Sequence, residues 1–75
     1  MDYNKFIIRN PGIMLGKPVI KGTRITVELI MRKLAGGYTL DDLITSYPHI
    51  NKDQVYAVFE YTADLIANEE VIEMA

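Results

Sequence analysis

The stretch that decides the fold is residues 16–27, which read GKPVIKGTRITV. Up to Arg24 the chain consists of short apolar pieces separated by turns, since proline fixes φ and glycine accepts positive φ. The apolar pieces are the β-type run Phe6-Ile7-Ile8, followed by Ile13-Met14-Leu15 and Val19-Ile20. Residues 1–25 are therefore predicted to form a loop-rich arm with one or two short strands. Such strands are marginal alone, so we expect the arm to pack on the rest of the chain.

Hydrophobic spacing becomes helical at the end of this stretch. Thr26 is the predicted N-cap of a first helix, and Gly36-Gly37 is its predicted stop. Between them, apolar residues recur three and four positions apart, which places them on one helix face: Val27, Ile30, Met31 and Leu34.

Two more helices are predicted by the same signals. The second begins after its N-cap Thr39 and ends at Pro48. The third begins at Asn51, which resembles a capping box with Gln54, and is predicted to end near Asn68. Its predicted buried stripe contains six residues: Val55, Val58, Phe59, Thr62, Leu65 and Ile66.

The predicted fold is mainly α: a small three-helix, helix-turn-helix-like bundle with a short extended or β N-terminal arm. We expect a single domain over residues 1–75, divided into an arm (1–25), a bundle (26–68) and an acidic tail (69–75). A core of this size is marginal, which favours support from a second subunit or a partner.

Composition argues against several classes of protein. The 75 residues include no cysteine, so disulfides and thiolate chemistry are excluded. No long apolar run or basic-then-apolar leader is visible, and we expect a cytoplasmic protein without membrane contact. His49 is the single histidine, and Gly16-Lys17 lacks the phosphate-loop spacing. We therefore expect no enzyme, cofactor, metal or small-molecule substrate.

Charge is divided unevenly along the chain. Residues 1–33 hold seven basic and two acidic side chains, a net of +5, whereas residues 34–75 hold one basic and eight acidic, a net of −7. The basic half could meet phosphate or an acidic partner, and the acidic half would repel nucleic acid. Alternatively, the two halves attract each other within the domain.

The turn Gly22-Thr23-Arg24 has two interpretations. In the structural one, Gly22 supplies a positive-φ turn, Thr23 and Thr26 cap backbone groups, and Arg24 pairs with Asp53 or Glu60. In the functional one, a basic cluster contacts phosphate, because arginine suits phosphate as well as carboxylate. That cluster contains Lys17, Lys21 and Arg24, with Arg32 and Lys33 on the first helix.

The residues of the third helix bear most directly on DNA binding. In a simple helix-turn-helix, this helix would be the recognition helix and would lie in the major groove. Lys52 and Gln54 are its candidate DNA contacts, Gln54 for adenine and Lys52 for phosphate or guanine. Three carboxylates on the same helix oppose that use: Asp53, Glu60 and Asp64. The aromatic residues of this helix favour packing and self-association over a ligand platform.

The signature from Gly16 to Val27 closely resembles a prokaryotic family, domain of unknown function 433 (DUF433). Its characteristic positions here are Gly16, Pro18, Gly22, Thr23 and Arg24. Later positions fit in order, and the resemblance spans about residues 7–67. One departure is Leu15, where members often have glycine.

The resemblance implies a compact helix-turn-helix-like domain similar to VapB-type antitoxins of type II toxin–antitoxin pairs. Such antitoxins usually form homodimers, inhibit a PIN-like ribonuclease and bind their own operator DNA. The leading hypothesis is thus a homodimeric antitoxin that neutralises a PIN-like toxin and represses its own operon. The alternative is a protein-interaction module that binds the nuclease and never contacts DNA. The acidic tail is either solubilising charge or a segment that orders on a basic toxin surface.

Overall fold

The computed structural model describes the backbone of residues 1–74 and the side chains of residues 1–68. It contains three α-helices and a two-stranded sheet, which confirms the predicted mainly α fold with a short β arm. The arm holds β1 (Ile7–Ile8) and β2 (Val19–Ile20), with short 3₁₀ turns at Tyr3–Lys5 and Met14–Gly16. The helices are α1 (Val27–Ala35), α2 (Leu40–Ser46) and α3 (Lys52–Met74).

The β2 strand is bonded on both of its edges. On one side it pairs antiparallel with β1, so that Ile7 faces Ile20 and Ile8 faces Val19. On the other side the chain folds back, and the Ile20 amide donates to the Ile25 carbonyl at 2.9 Å. The backbone that leads into α1 is therefore attached directly to the arm.

All three predicted helix N-caps are confirmed. The Leu29 amide donates to Thr26 Oγ1 at 3.0 Å, which satisfies a backbone donor of the first turn of α1. Thr39 forms a full capping box with Asp42 at α2. Asn51 and Gln54 exchange reciprocal bonds of 2.8 and 3.0 Å at α3. Helix starts are local features, which is why the sequence alone predicts them.

The core lies where α1, α2 and α3 meet the arm. Val19 and Ile20 are fully buried, and other members come from β1, from every helix and from the α2–α3 loop: Ile7, Val27, Ile30, Leu43, Ile50, Val55, Ala57 and Val58. The predicted buried stripe of α3 is wrong at its C-terminal end. Leu65 and Ile66 were expected in the buried stripe of α3, yet they are 46% and 50% exposed. A helix of 23 residues is about 34 Å long, more than the small bundle beside it covers.

The third helix also extends further than predicted. It continues past Asn68 to Met74, where a separate acidic tail was expected from residue 69. Residues 67–74 contain no glycine or proline and are rich in good helix formers, so no local signal stops the helix. The side chains of residues 69–74, and Ala75, lie outside the described residues. Across the described chain, none of the helices is both long enough and apolar enough to cross a bilayer.

The 3₁₀ turn before β2 has an unusual backbone. Met14, Leu15 and Gly16 have φ values of 49°, 59° and 81°, all in the left-handed region. Only glycine adopts that region without steric cost, because a Cβ atom there crowds the following carbonyl. The Leu15 side chain is 94% exposed and gains nothing from packing. Leucine at this position is therefore a strained residue.

Replacing Leu15 by glycine should stabilise the fold. Left-handed φ costs an L-residue about 1–2 kcal/mol, and the extra chain entropy of glycine costs about 0.5–1 kcal/mol. We expect Leu15→Gly to raise the free energy of unfolding in urea by about 0.5–1 kcal/mol. Leu15→Ala is the control: it keeps the Cβ atom, so its stability should stay within about 0.5 kcal/mol of the parent. Greater loss of stability in Leu15→Gly than in Leu15→Ala would contradict the strain argument.

Candidate functional site

The candidate site is the turn that joins β2 to α1, here called the motif turn (residues 20–25). The Thr23 amide donates to the Ile20 carbonyl at 3.0 Å, and Gly22 has φ of 82°, as in a type II turn. Thr23 Oγ1 donates to the same carbonyl at 2.8 Å and accepts from the Ile25 amide at 3.0 Å. The structural roles predicted for Gly22 and Thr23 are thus confirmed.

Arg24 does not have the partner that its structural interpretation requires. Its side chain is exposed, and within residues 1–68 no carboxylate lies within ion-pair distance of it. The predicted pairing with Asp53 or Glu60 is therefore wrong. All three residues are exposed, so each keeps its hydration, and an ion pair would order two long side chains for a gain of only about 0–1 kcal/mol.

An open cleft of about 400 Å³ lies beside the motif turn. Gly22, Thr23 and Arg24 line it together with Ile13, which belongs to the segment leading into the left-handed turn. A Cβ atom added at Gly22 would meet no atom within 4 Å, so the surface above this glycine is open. The cleft is therefore lined by an aliphatic residue, a glycine with open space above it, a threonine and an exposed arginine.

Two of the basic residues that were predicted to contact phosphate form ion pairs with the same carboxylate. Lys17 Nζ lies 3.2 Å from Glu28 Oε1, and Arg32 Nε lies 2.9 Å from Glu28 Oε2. The Arg32 hydrogen bond, followed by that of Lys17, lowers the pKa of Glu28 below its ordinary value. Glu28 thus partly offsets the charge of the predicted cluster. Lys21 is exposed and, like Arg24, has no ion-pair partner within the described side chains.

The remaining candidate DNA contacts are dispersed. The Lys33 ammonium lies 5.0 Å from the centre of the Tyr38 ring, a cation–π contact within the domain. Lys52 is exposed at the first turn of α3. Gln54 is half-buried, and its Oε1 accepts from the Asn51 amide at 2.8 Å. Reading a base would break this capping box, so the geometry opposes the predicted base contact.

Sequence reasoning missed a cluster that fastens the arm to α3. Arg9 Nε donates to the Tyr61 hydroxyl at 3.0 Å, and the guanidinium carbon lies 5.8 Å from the centre of that ring. The Tyr3 and Tyr61 rings pack edge to face at 5.6 Å. A hydrogen bond to Asp64 raises the pKa of Tyr3. These partners are far apart in the chain, so no local spacing points to them.

The described residues contain no group of three or more His, Asp or Glu side chains placed to hold a metal ion. Among the same residues, every buried side-chain nitrogen or oxygen has a hydrogen-bond partner. The polar interior is thus satisfied, and the groups that remain without a protein partner lie on the surface.

A family model described as protein of unknown function (DUF433) matches residues 7–62 of the chain. The chain is also similar to the crystal structure of a DUF433 member protein from Anabaena variabilis ATCC 29413, determined at 2.00 Å resolution. That match has a TM-score of 0.76 and 26% sequence identity over 91% of this chain. It spans 64% of the length of the Anabaena chain. No curated protein matches the chain.

The shared carboxylate predicts a measurable titration. A lowered pKa means that ionised Glu28 contributes stability above the ordinary value of 4.5, and that this contribution is lost as the pH falls through the lowered pKa. We expect an NMR titration of the Glu28 carboxyl carbon to give a midpoint below 4.5. Arg32→Gln should move the midpoint upward, and more so than Lys17→Gln. Lys33→Gln, which removes a neighbouring charge without a contact to Glu28, is the control; equal shifts in all three variants would contradict the assignment.

Proposed function

This chain belongs to the DUF433 family, and we propose that it acts as an antitoxin-type module that binds and inhibits a PIN-like ribonuclease. It does so as a binding protein, without catalysis of its own. One observation carries the proposal: Leu15 holds a fully displayed aliphatic side chain on a strained left-handed turn, in the segment that adjoins the motif turn.

Strain of this kind supports a functional use of the turn. Residues in sparsely populated backbone regions cluster at functional sites, where the surrounding structure holds them in place. An exposed leucine with no packing partner keeps apolar surface in water, which is unfavourable for the free protein. A bound protein surface would bury it. Arg24 adds the residue type that protein interfaces favour. The face formed by residues 13–24, here called the motif face, is thus suited to protein contact.

DNA binding with autoregulation is the second candidate, and a specific observation favours it. Lys21 and Arg24 are exposed cations without ion-pair partners among the described side chains, on the turn that precedes α1. Opposing it, Glu28 engages Lys17 and Arg32, and Gln54 is engaged at its own helix cap. We therefore rank nuclease binding first and DNA binding second.

We further propose that the module is a homodimer in a prokaryotic cytoplasm. Leu65 and Ile66 present exposed apolar surface on the part of α3 that extends beyond the bundle. Contact between two such helices would shield the end of α3 that the bundle leaves uncovered.

Nuclease binding can be tested by purifying the chain together with a PIN-like ribonuclease encoded in its own operon and assaying RNA cleavage. We expect inhibition by the parent chain and a loss of affinity of at least tenfold for Leu15→Glu, because the charge would be forced into an apolar contact. Thr45→Glu is the matched control, since it places the same charge at an exposed position of α2 that lies outside both proposed contact surfaces. Inhibition that fails in Thr45→Glu and survives in Leu15→Glu would overturn the motif face as the binding surface.

Autoregulation can be tested by fluorescence anisotropy of a labelled duplex from upstream of the gene, beside a scrambled duplex, at two salt concentrations. Under this candidate, the native duplex binds preferentially and more weakly at higher salt, because phosphate contacts release counterions. Combining Lys21→Ala with Arg24→Ala should flatten the salt slope by about two, roughly one per lost contact. Lys5→Ala, at an exposed lysine outside the motif turn, is the control. Absence of preferential binding at micromolar protein, with the nuclease also present, rules this candidate out.

A further inference from the structure

The cleft beside the motif turn contains groups that the fold does not use. One of its lining residues is Arg24, which is exposed and has no carboxylate partner among the described residues. The nearby cations Lys17 and Arg32, in contrast, already contact Glu28. The Arg24 guanidinium is therefore a planar, permanently charged group of this face that is free to donate two parallel hydrogen bonds to a carboxylate.

The other walls of the cleft limit what can enter it. Ile13 is half-buried and aliphatic, and the open surface at Gly22 lets a second backbone approach closely. Two residues beyond Ile13, Leu15 adds exposed aliphatic surface. A complementary ligand therefore carries an anionic group beside an aliphatic one on a slender chain.

We propose that this cleft binds an extended segment of a partner protein in which a carboxylate side chain lies next to a branched aliphatic side chain. The carboxylate pairs with Arg24, the aliphatic group packs on Ile13, and the backbone of the segment passes over Gly22. Identifying that partner as the inhibited nuclease rests on the proposed function, whereas the chemistry of the cleft does not.

A peptide carboxylate fits this cleft better than a nucleic acid phosphate. A phosphate site of a backbone-binding protein gathers several cations, but the cleft is lined by one, and no aromatic side chain is present to stack a base. Aliphatic walls add affinity for a peptide side chain and none for a sugar-phosphate backbone. Charge complementarity thus comes from one arginine, and selectivity from its apolar surroundings.

The test is an NMR titration of the full ¹⁵N-labelled chain with the capped tripeptide acetyl-Leu-Glu-Leu-amide. We expect the largest amide shifts at Ile13, Gly22, Thr23 and Arg24, with saturation in the millimolar range. The matched peptide acetyl-Leu-Gln-Leu-amide should bind about three- to fivefold more weakly, the loss expected for an exposed ion pair. So should the glutamate peptide with Arg24→Gln, while Arg24→Lys should recover part of the affinity. Arg32→Gln, at an arginine already engaged by Glu28, should leave the affinity within twofold of the parent.

Other outcomes would overturn the proposal. Equal affinity for the glutamate and glutamine peptides would show that no carboxylate is recognised. Shifts at the cleft with inorganic phosphate or a dinucleotide, and none with the peptide, would assign the cleft to nucleic acid.

The proposal for the cleft and the proposed function can be tested separately. If Leu15→Glu weakens nuclease binding and Arg24→Gln leaves it within twofold of the parent, the nuclease does not use the cleft, and the proposed function stands without it. If the glutamate peptide binds at Arg24 and no nuclease is bound or inhibited, the chemistry of the cleft stands and the proposed function fails.

Discussion

The double-sided bonding of β2 is the constraint on which the rest of the structure depends. Val19 and Ile20 are fully buried, with β1 on one edge and the chain entering α1 on the other. The Pro18 carbonyl accepts the Val27 amide at 3.0 Å, so the first residue of α1 is tied to the residue before the strand. Backbone bonds and two buried aliphatic side chains thereby hold the motif turn in place. The exposed side chains of the turn are not needed for that purpose.

Electrostatics follow from this arrangement. The two halves of the chain have net charges of +5 and −7, yet both ion pairs among the described side chains lie within the basic half, on Glu28. The contacts that join the arm to α3 are instead an arginine–tyrosine hydrogen bond and aromatic packing. Attraction between the halves is thus not realised as ion pairs within the described domain. The opposite charges remain on the surface, where they can act on a partner.

What could be predicted from the sequence depended on how local each feature is. Thr26, Thr39 and Asn51 were identifiable as helix starts because a cap bonds within three residues. The exposure of Leu65 was not predictable from helical spacing, since it depends on how far the other elements reach along α3. The surroundings of Arg24 and the Arg9–Tyr61 contact were not predictable from the sequence for the same reason. Both depend on tertiary neighbours that no periodicity encodes.

The fold explains the role of four of the five signature residues, and the exception is Arg24. Gly16 and Gly22 have φ values of 81° and 82°, and the Pro18 carbonyl receives a bond from α1. Thr23 caps the turn through its hydroxyl. Arg24 contributes neither a special backbone conformation nor an ion pair within the described structure. A residue with no internal role, held at the rim of an open cleft by neighbours whose roles are all internal, is where recognition of a partner should be sought.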